Sequence, residues 1–282
     1  MKLLRYGMVG AEKPGLLDVD GTIRDLSGVI AEIDGSVLSS AGLAKLAAVD
    51  PKSLPRVEGS PRIGACVPRP LNFVCIGLNY VDHAKETGSP IPDEPIIFIK
   101  SLSAYCGPFD DIVIPRGSEK TDWEVELGIV IGKTARHVEQ RDAMDHVAGY
   151  CVVNDLTERA YQTERGGTWD KGKGCDTFGP TGPWMVTRDE VPDPQDLSMW
   201  LDVDGKRMQN GTTRTMIFSV ENLVSYVSQF ITLQPGDIIS TGTPPGVGMG
   251  IKPVPVFLRP EQEVRAGIQG LGEQKQMTVA AQ

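Results

Sequence analysis

The sequence has little positive charge, few histidines and no long apolar run. Its 28 Lys and Arg residues stand against 37 Asp and Glu, a formal net charge of −9, which excludes nucleic-acid binding through a basic surface. No stretch approaches the roughly 20 apolar residues that cross a bilayer. Residues 1–10 also hold no apolar run of signal-peptide length. We therefore expect a cytoplasmic protein that binds neither nucleic acid nor membrane.

Cysteines and aromatic residues are also scarce. The five cysteines are widely spaced and form no C-x-x-C pair, which excludes a zinc ribbon and a thioredoxin-like motif. Aromatic residues make up 6% of the 282 residues, whereas 32 Gly and 21 Pro exceed their average share. With 40% hydrophobic residues, this composition predicts a globular fold that is rich in turns and poor in long helices.

The pattern of apolar runs and turn residues divides the chain in two. Residues 1–68 combine short apolar runs with the turn pairs Asp20-Gly21 and Asp34-Gly35 and end in a Pro-rich connector. Residues 69–282 contain many short strand-like runs, and only 219–230 has clear helical periodicity. We predict a mainly β fold with some α: a small N-terminal α+β domain and a larger domain of curled or barrel-like sheets. The strands predicted in the larger domain include 71–76, 96–99, 125–131, 150–153, 238–240, 254–258 and 264–268.

Three carboxylates suggest a metal site. Glu124 and Glu126 are two residues apart on a predicted strand and so share one face. Alone, the pair favours a solvated strand face over a metal site. Asp155 follows the predicted strand 150–153 and precedes a predicted helix over 157–162, where it also fits an N-cap. Three such carboxylates without Cys or His nearby suit a hard divalent ion such as Mg²⁺ or Mn²⁺.

A histidine and a glutamate suggest a general base. His83 and Glu86 are three residues apart on a short predicted helix that ends at Gly88, so they share a face. At this spacing a carboxylate can orient an imidazole that takes a proton from water. The spacing fits an ordinary surface histidine beside a glutamate equally well.

The Gly-rich stretch 233–248 follows an apolar run, but it does not indicate a nucleotide site. It lacks the G-K-[ST] sequence, and Pro244 and Pro245 prevent a helix from beginning where a phosphate would sit. A loop that presents hydroxyl and backbone N–H groups to a carboxylate, or a plain turn, remains.

Together these motifs resemble the fumarylacetoacetate hydrolase family over about residues 70–272. The order and spacing of the motifs carry the resemblance, since each is weak alone. The matching residues are Gly77-Leu78-Asn79-Tyr80, His83, Glu86, Phe98-Ile99-Lys100, Glu124-Val125-Glu126, Asn154-Asp155, Gln162, Lys171-Gly172-Lys173 and 241–248. The chain is similar in particular to a bacterial subgroup labelled as ureidoglycolate lyases or 2,4-diketo-3-deoxy sugar-acid hydrolases.

The resemblance implies a role for each matching residue. One Mg²⁺, or alternatively Mn²⁺, would be bound by Glu124, Glu126 and Asp155. The implied catalytic residues are His83, Glu86 and Lys173, and the implied substrate-binding residues are Tyr80, Lys100, Arg159, Gln162 and Thr243. The fold implied is a mixed β-roll, and the assembly implied is a homodimer.

The function that follows is a magnesium-dependent hydrolase that cleaves a C–C bond of a 2,4-diketo acid. The substrate would be an acylpyruvate or a 2,4-diketo-3-deoxy sugar acid, and pyruvate would leave as an enolate stabilised by the metal. Ureidoglycolate lyase and oxaloacetate decarboxylase are alternatives with the same site, and a non-catalytic binder of small carboxylates is a more distant one. Loops 164–169 and 207–214 are expected to contact the substrate's tail.

Overall fold

The fold is mostly β, and the computed structural model describes residues 1–282. The strands are β1 (Lys2–Tyr6), β2 (Lys13–Leu17), β3 (Ile23–Asp25), β4 (Phe73–Gly77), β5 (Ile96–Ile99), β6 (Tyr105–Cys106), β7 (Ile112–Ile114), β8 (Thr121–Asp122), β9 (Val125–Ile131), β10 (Val147–Asn154), β11 (Thr157–Glu158), β12 (Gly179–Thr187), β13 (Ser198–Val203), β14 (Lys206–Thr212), β15 (Ile238–Ser240), β16 (Glu263–Ile268) and β17 (Gly272–Ala280). The helices are α1 (Gly35–Leu38), α2 (Ser40–Ala47), α3 (Val81–Thr87), α4 (Arg159–Thr163), α5 (Asp170–Lys173) and α6 (Val220–Val227). None of the helices is long and apolar enough to span a membrane.

The strands form three sheets. The largest has ten strands in the order β3-β2-β1-β12-β10-β9-β15-β4-β5, with β6 paired to β12. A second sheet runs β14-β13-β16-β17-β7, and β11 pairs with β8. Every residue of β9 and β10 is buried, as expected for apolar runs covered on both faces. The mainly β fold class is thus confirmed.

The register of the central strands brings the predicted carboxylates together. In the antiparallel β9–β10 pair, Val125 lies opposite Asn154 and Glu126 opposite Val153. The backbone N–H of Asp155 donates to the Glu124 carbonyl at 2.9 Å. Asp155 therefore lies beside the two glutamates although it is about 30 residues away in sequence.

The N-terminal segment continues the main sheet. Strand β1 pairs antiparallel with β12, and Leu3 lies opposite Met185. Leu3 belongs to a hydrophobic core that also contains Val130, Ala148 and Ile238 from the larger part of the chain. Residues 1–68 thus share both a sheet and a core with residues 69–282.

Three local predictions differ from the structure. Residues 254–258 form no strand, because Pro253 and Pro255 remove backbone N–H donors that a ladder needs. The helix predicted over 157–162 begins with the short strand β11, and helix α4 starts only at Arg159. The helix predicted over 219–230 ends earlier, at Val227.

Candidate metal centre and active-site cavity

The three predicted metal ligands form one buried cluster. Carboxylate oxygens of Glu124, Glu126 and Asp155 all lie within 4.8 Å of one another, and each residue is at most 5% exposed. Glu126 is oriented by Ser240 in β15, whose hydroxyl donates to it at 2.6 Å, and by the N–H of Gly242 at 2.9 Å. The ends of β9, β10 and β15 therefore position the cluster.

Three buried cations surround these carboxylates. The Lys173 ammonium lies 2.5 Å from Glu124 and 2.7 Å from Asp155. Lys100 lies 2.6 Å from the other Asp155 oxygen. Arg159 contacts Glu124 at 2.6 Å. Each cation is thus already paired with a carboxylate.

Glu126 differs electrostatically from Glu124. Burial alone would raise the pKa of Glu124, but the charges of Lys173 and Arg159 outweigh it and lower that pKa to about 2. Burial, followed by the charges of Asp155 and Glu124, raises the pKa of Glu126 well above its usual range. A buried carboxylate surrounded by other carboxylates is stabilised in its charged form by a bound cation. The all-oxygen donor set therefore fits a hard divalent ion.

The predicted base is assembled on α3. His83 Nδ1 lies 2.9 Å from a Glu86 carboxylate oxygen, and the other Glu86 oxygen accepts the Gly246 N–H at 2.9 Å. The helix ends at Gly88, whose φ of +71° is the left-handed conformation that glycine adopts readily. His83 is 8% exposed, so it is not an ordinary surface histidine.

A cavity of about 440 Å³ joins the base to the carboxylate cluster. Its polar wall is formed by His83, Thr87, Ser89, Glu124, Glu126, Arg159, Gln162, Thr163, Lys173 and Thr243. Its apolar wall includes Pro90, Pro92, Ile96, Phe98 and Trp169. Of the two loops expected to contact a substrate tail, 164–169 contributes Trp169, whereas no residue of 207–214 lines the cavity.

Two of the predicted substrate-binding residues lie behind the cavity wall. Tyr80 is fully buried, and its hydroxyl donates to the Met199 sulfur at 3.3 Å. The Lys100 ammonium donates to the carbonyls of Leu156 at 3.0 Å and Lys173 at 2.6 Å. In this arrangement both residues support the site from outside instead of contacting a substrate.

The other three predicted substrate-binding residues line the cavity, with part of their hydrogen-bonding capacity already used. Arg159 donates to the Gln162 side-chain oxygen at 3.3 Å. The N–H donors of the Gln162 amide therefore face away from Arg159. The Thr243 hydroxyl donates to the Val125 carbonyl and accepts from Gln209, both at 2.8 Å. Its proton is therefore not free for a substrate carboxylate.

Sequence reasoning missed Asp122. This fully buried carboxylate accepts from Arg159 at 2.8 Å and from the N–H groups of Gly248 at 2.6 Å and Met249 at 3.0 Å. It therefore fixes both Arg159 and the Gly-rich loop. A sequence signal for Asp122 was available, because acidic residues stand at every second position in Asp122, Glu124 and Glu126.

Several known proteins are similar to this chain in sequence and in structure. Residues 72–279 match the family model described as fumarylacetoacetate (FAA) hydrolase C-terminal. A protein of Burkholderia multivorans, described only in general terms as a hydrolase, is 65% identical over 281 residues, covering 100% of both chains. The structure of a fumarylacetoacetate hydrolase from Exiguobacterium antarcticum is similar with a TM-score of 0.88 and 34% identity over 100% of both chains. The maleylpyruvate hydrolase from Sphingobium sp. SYK-6, in complex with manganese(II) and pyruvate, is similar with a TM-score of 0.83 and 30% identity, again over 100% of both chains.

Proposed function

The chain belongs to the fumarylacetoacetate hydrolase family and is an enzyme, and we propose that it uses a divalent metal to cleave a C–C bond of a 2,4-diketo acid, releasing pyruvate. The observation that carries this proposal is that one cavity joins a buried carboxylate cluster to the His83–Glu86 pair. A protein that only binds small carboxylates needs no oriented base, so the pair favours catalysis.

Glu124, Glu126 and Asp155 are the proposed metal ligands. A bound Mg²⁺ or Mn²⁺ would supply a Lewis acid for the 2-oxo carboxylate of the substrate. The manganese and pyruvate in the maleylpyruvate hydrolase structure support this assignment.

His83 is the proposed general base. Its Nδ1 faces Glu86 at 2.9 Å, which leaves Nε2 to accept a proton from a water molecule. Glu86 stabilises the imidazolium that forms. The water oxygen attacks the distal carbonyl, and the C–C bond then breaks with its electron pair passing to the pyruvate half as an enolate. The imidazolium returns its proton to the enolate carbon, which gives pyruvate and the free acid.

Lys173 is the proposed partner of the developing negative charge. Burial alone would lower the pKa of Lys173, but the charges of Asp155 and Glu124 raise it above its usual value. The ammonium therefore stays protonated, and its positive charge stabilises a nearby oxygen that gains negative charge as the bond breaks.

Within the family, we propose a diketo sugar acid or a simpler acylpyruvate as the substrate. Ureidoglycolate lyase and oxaloacetate decarboxylase are the alternative activities, and their substrates also carry a carboxylate that can chelate the metal. A panel of substrates distinguishes the three activities by which substrate is consumed and which product is released. The homodimer and the cytoplasmic location implied by the sequence stay predictions.

The test is a panel of substrates with Mg²⁺ or Mn²⁺, comparing the wild type with His83→Ala. The panel contains an acylpyruvate, a 2,4-diketo-3-deoxy sugar acid, oxaloacetate and ureidoglycolate. The wild type should release pyruvate from a diketo acid, and His83→Ala should lower kcat by about 10²- to 10⁴-fold while metal affinity stays unchanged.

The matched control is His137→Ala, since His137 lies outside the cavity and its ring contacts Gln229 at 3.3 Å. This variant should keep wild-type kcat. Full activity of His83→Ala would refute the role of His83, and a wild type that cleaves no diketo acid would refute the proposed function itself.

A further inference from the structure

The apolar wall of the cavity suggests what the far end of the substrate is. We propose that Trp169 and Phe98 form a subsite for an uncharged acyl group, an inference that rests on the proposed function. The cavity then disfavours substrates that carry a second carboxylate at this end. Trp169 is thereby assigned as a specificity-determining residue.

The two aromatic rings form one continuous surface in the cavity. Phe98 and Trp169 contact each other edge to face, with centroids 5.2 Å apart and an interplanar angle of 64°. The indole packs directly on the backbone at Gly77, where an added Cβ would lie 2.5 Å from a ring carbon of Trp169. Ile96 extends this surface, because Ile96 and Phe98 are two residues apart on β5 and share a face.

No cation of the cavity wall is free to receive a second carboxylate. Apart from the histidine, the positively charged residues that line the cavity are Arg159 and Lys173. Arg159 is held between Asp122 and Glu124, and Lys173 between Glu124 and Asp155. A carboxylate pressed against the aromatic wall would lose hydration without gaining a free cation as its partner.

The net charge of the buried network agrees with a single substrate carboxylate. The network contains four carboxylates and three cations, so its formal charge is −1. The carboxylates are Asp122, Glu124, Glu126 and Asp155, and the cations are Lys100, Arg159 and Lys173. Adding a divalent ion gives +1, which one carboxylate neutralises. Glu86 lies outside this network, and its side chain is 20% exposed.

The aromatic wall is also coupled to the proposed catalytic lysine. Trp169 immediately precedes α5, and its carbonyl accepts the N–H of Lys173 at 3.0 Å. The Lys173 ammonium lies 5.1 Å from the centroid of the Phe98 ring. An acyl group seated on this wall therefore contacts the segment that positions Lys173.

Binding of two inert 2-oxo acids tests the proposal without relying on turnover. 2-Oxohexanoate and 2-oxoadipate have chains of equal length and chelate through the same end, but only 2-oxoadipate carries a terminal carboxylate. Isothermal titration of the manganese-loaded protein should give a Kd for 2-oxohexanoate that is lower by about tenfold or more.

Three variants assign this preference to the wall. Trp169→Ala should raise the Kd for 2-oxohexanoate by about tenfold and barely change the Kd for 2-oxoadipate. Trp169→Phe should restore part of the lost affinity. Ile96→Lys places a cation beside the wall, since Ile96 is 37% exposed, and should reverse the preference towards 2-oxoadipate. The matched control is Trp200→Ala, because Trp200 does not line the cavity; both affinities should stay at wild-type values.

The outcomes separate the two proposals. Equal affinity for both ligands, or an equal loss of both in Trp169→Ala, overturns the subsite even when the enzyme cleaves diketo acids. A preference for 2-oxohexanoate that depends on Trp169 supports the subsite even when no diketo acid is cleaved, and then only the proposed function fails.

Discussion

Glu126 has a different environment from its two neighbours in the carboxylate cluster. Glu124 contacts two cations and Asp155 contacts two, whereas Glu126 accepts only from the Ser240 hydroxyl and the Gly242 N–H. Both of these donors are neutral, so they offset little of the cost of burying a charge. At the residue scale, the fixed cations thus hold two of the carboxylates charged, and a bound divalent ion would stabilise the third.

Substitution of Asp122 tests how far the buried network of carboxylates and cations contributes to the stability of the fold. Asp122→Asn removes the charge that pairs with buried Arg159 at 2.8 Å and should lower the free energy of unfolding by about 3 kcal/mol, as expected for a broken buried pair. Urea denaturation followed by circular dichroism measures it.

The control for this prediction is Asp202→Asn. Asp202 pairs with Arg207, whose side chain is 48% exposed, so its loss should change the free energy by no more than about 1 kcal/mol. Equal losses in the two variants would contradict the view that burial gives the Asp122 pair its importance.

At the scale of elements, the Gly-rich loop 242–250 holds the base in place. The Gly246 N–H donates to Glu86, and a Cβ added at Gly250 would lie 2.6 Å from the Glu86 carboxyl carbon. Asp122 fixes the same loop through the N–H groups of Gly248 and Met249. The glycines here allow close approach to α3, a role that differs from the anion-binding loop considered from the sequence.

Gly250→Ala should therefore displace Glu86 from His83 and lower kcat by about 100-fold, the lower end of what a general base contributes. Metal affinity should not change, since Glu86 is not among the proposed ligands. Steady-state kinetics together with metal titration checks both expectations. Gly28→Ala is the control, because nothing lies within 4 Å of its added Cβ; wild-type kcat in Gly250→Ala would refute the packing argument.

The sequence predicted the apolar strands and the metal cluster but not the polar strand β17. Their apolar runs identify β9 and β15, because most of their buried residues are apolar. In β17 the buried side chains include Gln274 and Gln276, whereas Met277 is exposed. This strand therefore reverses the usual pattern in which apolar side chains are buried and polar ones are exposed. Gln274 is buried because its amide donates to the carbonyls of three residues in β10 and β12, namely Val152, Pro180 and Gly182.

The same limit explains which site residues could be predicted. Glu124, Glu126, His83 and Glu86 were identifiable because each pair is local in sequence and its spacing fixes a common face. The acidic alternation includes Asp122 and the predicted loop 164–169 includes Trp169, but their contacts with loop 242–250 and with Gly77 are long-range. Spacing does not encode such contacts. The burial of Lys100 behind Asp155 is of the same kind.

At the scale of the whole molecule, the N-terminal segment and the catalytic part should unfold together. They share the β1–β12 pairing and a core in which Leu3, fully buried, belongs to the same cluster as Val130 and Ala148. Leu3→Ala should therefore lower the free energy of unfolding of the entire chain by about 3 kcal/mol, the usual cost of a cavity left by leucine.

This expectation is checked by following urea unfolding through both circular dichroism and enzymatic activity, which should show one coincident transition at a lower midpoint in Leu3→Ala. Val19→Ala provides the control, because Val19 is fully exposed and its truncation should leave the midpoint unchanged. If Leu3→Ala instead produced an early separate transition while activity kept its wild-type midpoint, residues 1–68 would be an independent domain. The shared sheet argues for the single transition, since losing β1 exposes the edge of β12. Strand β12 lies next to β10, which is followed directly by Asp155.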